Sequence, residues 1–338
     1  LRFFSDNTGT ASAEVLAALS DANQGLVSAY GNDPWTRRLD DCLSAYFGTQ
    51  VRAFPVSTGT AANSLSLATL TPSYGVIFAH EEAHIANDEA GAPGFFSGGA
   101  QIELLQAPDG KVTHAALAAA LEAHPVSLHT TQPTALALSQ ATELGTAYRP
   151  DELGALCKLA HDHGLKVQMD GARFANAVAF LDCHPGDVTW RAGVDVLSFG
   201  ATKNGALAAE AVVFFDTTLV RDFELRRKQS GHLLSKSRYV SAQLLAYVES
   251  GVWLRNARRT NDFARKIGRA GAKLLMHPVE ANEIFLALGQ ERKQALRQAG
   301  FEFYDWNAAS TGETRFVVSW DQREEDVLAL CAALEKLS

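Results

Sequence analysis

The chain has 338 residues, long enough for a large domain with a smaller companion, and its 47% hydrophobic and 20% charged residues exclude a disordered or coiled-coil protein. Its 38 acidic against 30 basic residues leave a net charge of −8, which argues against binding a nucleic-acid backbone or a polybasic attachment to a membrane. Apolar runs such as Ala211 to Phe215 are far shorter than the roughly 20 residues that cross a bilayer, so a soluble protein is expected.

Strands are predicted at Ala53–Val56, Val76–Ala79, Ile102–Leu105, Ala135–Ser139, Leu165–Met169, Val194–Phe199 and Val212–Phe215, with helical-period segments between most of them. Continuously apolar strands that alternate with helices predict an α/β fold with a parallel sheet covered on both faces. The clearest helix runs from Asp151 to His163. Pro150 and Asp151 start it, Leu153, Leu156, Leu159 and Ala160 share one face, and Gly164 stops it. Beyond Phe215 come a basic helix, Leu219–Lys228, and a longer one from about Ser237 to Glu249. From Val252 the pattern reads helix, strand Glu283–Leu288, helix, strands Phe301–Trp306 and Thr314–Trp320, and a final helix. The expected division is a large domain over 1–250 and a small C-terminal α/β domain over 251–338. Cys42, Cys157, Cys183 and Cys331 lack CxxC spacing and read as free thiols of a reducing cytoplasm, and no signal-peptide pattern opens the chain.

Four segments carry chemistry. His80-Glu81-Glu82-Ala83-His84 fits the H-E-x-x-H pattern of zinc hydrolases, but His80 directly follows a predicted strand, which spoils the helical i, i+4 pairing that zinc needs; no metal is expected. The turn Ser57-Thr58-Gly59-Thr60-Ala61-Ala62-Asn63 follows a strand and opens a helix. Small residues there let backbone N–H groups approach a phosphate, although Ser and Thr are also ordinary helix caps. In Met169-Asp170-Gly171-Ala172-Arg173, Asp170 falls at the carboxyl end of a strand, where it suits a protonated ring nitrogen; the plain alternative is an Asp170–Arg173 ion pair. Lys203, in Ala201-Thr202-Lys203-Asn204-Gly205, also follows a strand and is placed to act as a nucleophile toward a carbonyl, or else is a surface lysine in a turn. Together, a phosphate cup, an Asp and a Lys on one edge of one sheet match the three handles of pyridoxal 5'-phosphate.

With these residues in order, the sequence resembles the low-specificity L-threonine aldolase family of fold-type I pyridoxal phosphate enzymes, including its phenylserine aldolase-like branch. The matching segments run along nearly the whole chain: Phe4-Ser5-Asp6-Asn7, Tyr30-Gly31-Asn32-Asp33-Pro34, Ser57–Asn63, Ala83-His84-Ile85 with Glu89-Ala90-Gly91, Gln140-Ala141-Thr142-Glu143, Asp170–Arg173, Thr202-Lys203-Asn204-Gly205, Arg226-Arg227-Lys228, Ser235-Lys236-Ser237-Arg238 and Pro278-Val279-Glu280-Ala281-Asn282. The lysine motif departs from the family's more familiar Ser-Lys-Gly, which bears on substrate preference.

The resemblance implies a role for each matched position. Lys203 is the residue that binds the cofactor aldehyde, Asp170 the partner of the ring nitrogen and His84 the imidazole on the cofactor face. Thr58, Gly59 and Thr60 hold the phosphate. Ser5, Arg173 and Arg315 clamp the substrate α-carboxylate, Arg173 also bordering the cofactor. His129, in His129-Thr130-Thr131-Gln132-Pro133, is a second active-site histidine near the substrate hydroxyl, so that His84 or His129, directly or through water, is the expected base. Tyr30, Lys228 and Arg238 complete the substrate site, with a neighbouring subunit's site as their implied place, since the family implies a homodimer or homotetramer with interfacial sites. The implied reaction is retro-aldol cleavage of L-threonine, L-allo-threonine or a related β-hydroxy-α-amino acid such as phenylserine to glycine and an aldehyde. The alternatives are another fold-type I lyase working by β-elimination, an amino-acid racemase, a zinc hydrolase built on His80–His84, or a non-catalytic binding module.

Overall fold

The computed structural model describes residues 1–306 and 312–337. Seven strands, β1 (Arg52–Val56), β2 (Gly75–His80), β3 (Gln101–Leu105), β4 (Gln132–Ser139), β5 (Lys166–Gly171), β6 (Val196–Gly200) and β7 (Glu210–Phe214), form one sheet in the order β1-β7-β6-β5-β4-β2-β3. The sheet is mostly parallel, as expected, with one strand reversed: β7 is antiparallel to both β1 and β6. The reason is chain length, because only residues 201–209 separate β6 from β7, too few for the crossover of about a dozen residues or more that a parallel return demands. Since β7 alone is reversed, the carboxyl ends of the other six strands share one edge.

Alternation along each strand sends side chains to two cores. Val76, Phe78, Leu136, Leu138, Val167, Met169, Leu197 and Phe199 face a cluster closed by the helices Pro34–Phe47, Pro150–Asp162 and Arg238–Glu249. Ile77, Ala79, Ala135, Ala137, Val196 and Val212 face the opposite cluster, covered by the helices Gly59–Leu70 and Val220–Gln229. Helix Pro150–Asp162 buries Leu153, Leu156, Cys157 and Ala160, with Leu159 only half-buried, and Gly164 follows it at φ +77°. Helix Gly59–Leu70 has no polar stripe and is buried on nearly all sides. A helix of that kind belongs in an interior, and its N-terminus therefore opens into the molecule.

A second sheet of β8 (Glu283–Ala287), β9 (Tyr304–Asp305) and β10 (Glu313–Val317) is antiparallel, in the order β8-β10-β9. The strand expected over Phe301–Trp306 shortens to two residues because Phe301 and Phe303 turn into the core beneath this sheet. Phe3, from the other end of the chain, is buried in that same core, and its backbone bonds Glu302 and Val317. Helix Val252–Ala270 joins the two halves. Its Thr260 and Asn261 accept from Asn176 Nδ2 at 2.9 Å each, while Phe263, Ala264 and Ile267 pack under the small sheet. Among the described residues no helix is long and apolar enough to cross a membrane.

Candidate active site

The strand register brings the candidate residues together. Val56 and Gly200 both pair with Glu210, Asp170 pairs with Ser139 and Ser198, and so the turns after β1 and β6 and the end of β5 lie side by side. Gly200 is needed here, because a Cβ would come within 2.9 Å of the Ala172 backbone. A cavity of about 280 Å³ at this edge is lined by Thr58, Gly59, Thr60, Asp170 and Lys203, with Glu210 at its floor.

Helix Gly59–Leu70 presents its N-terminus to the cavity, with the Thr58 hydroxyl accepting from Ala61 N at 3.2 Å. Nothing lies within 4 Å of where a Gly59 side chain would begin, so the first amides of the helix remain open to an anion. Asp170 does not pair with Arg173. Its Oδ2 accepts from Asn63 Nδ2 at 2.7 Å and its Oδ1 from Ala172 N at 2.9 Å, which fixes the carboxylate facing the cavity. Asn63 also bonds Glu89, and Gln168 supports Asn63 and Ser198 at 3.2 Å each. Among the described residues Lys203 Nζ makes no hydrogen bond or ion pair. An anion cup, a braced carboxylate and an unpaired lysine amine fit the phosphate, ring nitrogen and aldehyde of pyridoxal phosphate.

His84 Nδ1 lies 2.9 Å from Oε1 of the fully buried Glu89, and that bond, reinforced by Asp170 and opposed by burial, raises the pKa of the imidazole. His84 is therefore held toward its protonated form.

A second cavity of about 370 Å³ adjoins the first, and Asn7, His84 and Lys203 border both. Ser5, Arg173 and Arg315 line it as expected, but the two arginines differ. Arg173 Nε and Nη2 donate to Asp6 at 2.8 and 3.0 Å, and Nη2 is 3.3 Å from Glu283. Burial would raise Asp6, yet the charges of Arg173 and Lys203 hold its carboxyl below the usual range. Arg173 thus commits its Nε and Nη2 edge to the protein itself. Arg315 lies between the rings of Tyr304 and Trp306, at 5.0 and 4.8 Å, with a buried Nε that has no partner. Arg315, with fewer partners than Arg173, keeps guanidinium donors of the kind a carboxylate clamp needs.

The remaining expected residues lie outside the two cavities of this chain. His129 is exposed in the loop before β4, its backbone N bonded to Ser127 Oγ at 3.2 Å. The site lies at the far end of that eight-residue strand, roughly 20 Å away at about 3.3 Å per residue. His80 ends β2, and its nitrogens engage Ala107 O at 2.8 Å and Glu82 N at 3.1 Å, whereas His84 begins a separate short helix; the two share no helical face. Tyr30, Lys228 and Arg238 line neither cavity of this chain. Lys228 Nζ sits 4.9 Å from the Tyr30 ring centroid, and Arg238 donates to Gly25 O at 3.3 Å.

Comparison with known proteins gives this geometry a family. A model of the beta-eliminating lyases matches residues 2–290. A low specificity L-threonine aldolase from a Pseudomonas species is 43% identical over 336 residues, covering 98% of this chain and 96% of that protein. One from Pseudomonas aeruginosa is 44% identical, covering 97% and 95%. The chain belongs to the low-specificity L-threonine aldolase family. It is accordingly a carbon–carbon lyase dependent on pyridoxal phosphate, of fold-type I. The solved threonine aldolase of Leishmania major, 23% identical, superposes with a TM-score of 0.92 over 99% of each chain, and shows the same fold.

Several residues at the site had no role assigned from sequence. Glu143 borders the substrate cavity, Glu283 lies behind the arginines, Glu89 and Asn63 brace His84 and Asp170, and Tyr304 and Trp306 flank Arg315. The signal for Asp6, Asn63, Glu89 and Glu143 was their place inside the family-like segments. Glu283 had none, since a buried acid in a strand is read only once its arginines are seen.

Proposed function

We propose that this chain cleaves L-threonine, L-allo-threonine or a related β-hydroxy-α-amino acid such as phenylserine to glycine and an aldehyde. The observation that carries the reading is the adjacency of two cavities, with Lys203 and Asp170 over the cup of Thr58, Gly59 and Thr60 on one side and the free face of Arg315 on the other. Lys203 Nζ would hold the cofactor, Thr58 to Thr60 its phosphate, and Asp170 a proton on its ring nitrogen. When bound, pyridoxal phosphate supplies a sink for the electron pair left at Cα by cleavage. Arg315, with Ser5, holds the α-carboxylate, and Arg173 keeps Asp6 and Glu283 neutralised around it. That anchor sets which bond at Cα faces the conjugated system, and orientation of this kind is worth several powers of ten in rate. His84, its ring held by Glu89, would cover the cofactor face.

The family relationship also supports a homodimer or homotetramer in the cytoplasm, with Tyr30, Lys228 and Arg238 reaching a partner's site. Their position outside this chain's own cavities favours that arrangement. Residues 251–338 serve in it as the small domain that carries Arg315. Sedimentation at several concentrations tests the assembly, and a monomer at all of them rejects it.

The reaction is tested by supplying threonine, allo-threonine and phenylserine and assaying aldehyde, glycine and pyruvate. Pyruvate with ammonia in place of glycine and aldehyde would assign β-elimination instead. Borohydride reduction followed by peptide mapping tests the lysine, and an adduct elsewhere than Lys203 rejects the assignment.

A further inference from the structure

A base is needed at the substrate hydroxyl, and this chain's own substrate cavity offers acidic groups besides the expected histidines. His129 stands at the opposite edge of the sheet from the cavities of its own chain. His84 is tied through Nδ1 to buried Glu89, and its imidazole is the group expected on the cofactor face. Asp88 reaches the rim of the substrate cavity but is solvent-exposed. Glu283 lies against Arg173 and Arg315 at 3.3 and 3.8 Å, behind the carboxylate anchor.

Glu143 remains. Its Oε1 is fixed by two donors, the backbone N–H of His84 at 2.9 Å and the hydroxyl of Ser139 at 2.6 Å. Its Oε2 is buried and has no hydrogen-bond partner, and the side chain borders the cavity that also holds Lys203, His84 and Arg315. A buried acceptor without a partner costs free energy and persists where a ligand completes it. We propose that Glu143 is the catalytic base that takes the β-hydroxyl proton, a reading that rests on the aldol cleavage proposed above. A substrate with its carboxylate on Arg315 and its amine at the Lys203 position lies along this cavity, and its hydroxyl then completes the bonding of Oε2.

The step balances without any further reactant. Glu143 Oε2 receives the hydroxyl proton, the O–H pair becomes the second bond of the carbonyl, and the Cα–Cβ pair stays on the Cα side as the aldehyde departs. The proton held on Glu143, directly or after exchange with water, is equivalent to the one that Cα needs to become glycine. Burial pushes the carboxyl up to about 7, with Asp170 adding to the rise and the Ser139 and His84 bonds opposing it. Arg173 and Tyr148 also act on it, and His84, Lys203, Glu283 and Arg315 share its cavity. A group poised near neutrality both accepts and returns a proton.

The test is Glu143→Gln in the holoenzyme, since an amide oxygen still accepts from His84 and Ser139. Aldehyde release should fall by about 10²–10⁴-fold. Cofactor absorbance, and the glycine affinity read from its change on titration, should stay within about threefold, because neither needs the base. Ser139→Ala provides a second reading: removing a bond that favours the anion should move the acidic limb of kcat/KM to higher pH with cofactor still bound. The proposal is overturned if Glu143→Gln keeps more than a third of the rate, if it loses cofactor and glycine binding together with activity, or if the limb is unmoved in Ser139→Ala. If the unsubstituted holoenzyme releases no aldehyde from any β-hydroxy-α-amino acid, the aldolase reading itself fails and this proposal with it.

Discussion

The cofactor cavity and the substrate cavity touch at Lys203, yet they are built in opposite ways. The first is assembled around two short turns that directly follow strands and the end of a third strand, so its chemistry is written in contiguous sequence. The second gathers Ser5, Glu143, Arg173, Glu283 and Arg315, which no local pattern connects. The contrast extends to charge. In the cofactor cavity Lys203 has no ion-pair partner among the described residues, whereas on the substrate side Asp6 and Glu283 already balance Arg173 and Arg315. A site on strand ends can keep reactive groups unpaired because the sheet positions them. A site made of distant segments uses ion pairs to hold those segments together.

The largest effect separates the two cavities outright. Lys203→Ala should remove nearly all turnover and the borohydride-trapped adduct, while the cup and Asp170 still retain some cofactor, measured by absorbance after gel filtration. Retained adduct would break the division of roles at its junction.

Next come the arginines, which should fail differently. Arg315→Ala should lower kcat/KM by about 10²-fold or more, as expected for losing a charge-assisted contact to the substrate, with little change in melting temperature. Arg173→Ala leaves Asp6 and Glu283 buried without their partner and should destabilise the fold by about 3–5 kcal/mol, read from denaturant titration. Equal stability of the two variants would show that Arg173 is not the brace described here.

A smaller effect concerns Glu210, whose carboxyl burial pushes up to about 7, against the opposing Thr202 bond and Lys203 charge. A raised carboxyl pKa means that the folded chain binds the proton more tightly than the unfolded one. Its contribution is therefore fully present below the ordinary carboxylate value and is lost as pH rises through about 7. Without cofactor, Glu210→Gln should melt higher than the unsubstituted chain near pH 8 and converge with it near pH 4. No difference at either pH would mean that Glu210 is not a strained group of the cofactor floor. The least effect belongs to His80→Ala and His129→Ala. Each should leave kcat/KM within about threefold, and a large loss in His129→Ala would return the base to the loop before β4.

The recurrence of strand and helix, the capped helix Pro150–Asp162, and the strand ends and turns holding Thr58 to Thr60, Asp170 and Lys203 were all determined by the sequence. Each depends on local backbone preference and on alternation of apolar residues, and those act over a few neighbours. The reversed β7 was also within reach of counting, since residues 201–209 are too few for a crossover. Other features were decided only by the tertiary structure. Arg173 bonded Asp6, His129 took an exposed loop at the opposite sheet edge of its own chain, and Glu143, quoted only as part of a motif, came to border the cavity with one oxygen unpaired. Phe3 entered a core made by residues more than 250 positions later. Burial and charge pairing are properties of three-dimensional neighbours, and a buried acid becomes a brace, a base or a counter-ion according to which side chains the fold delivers to it.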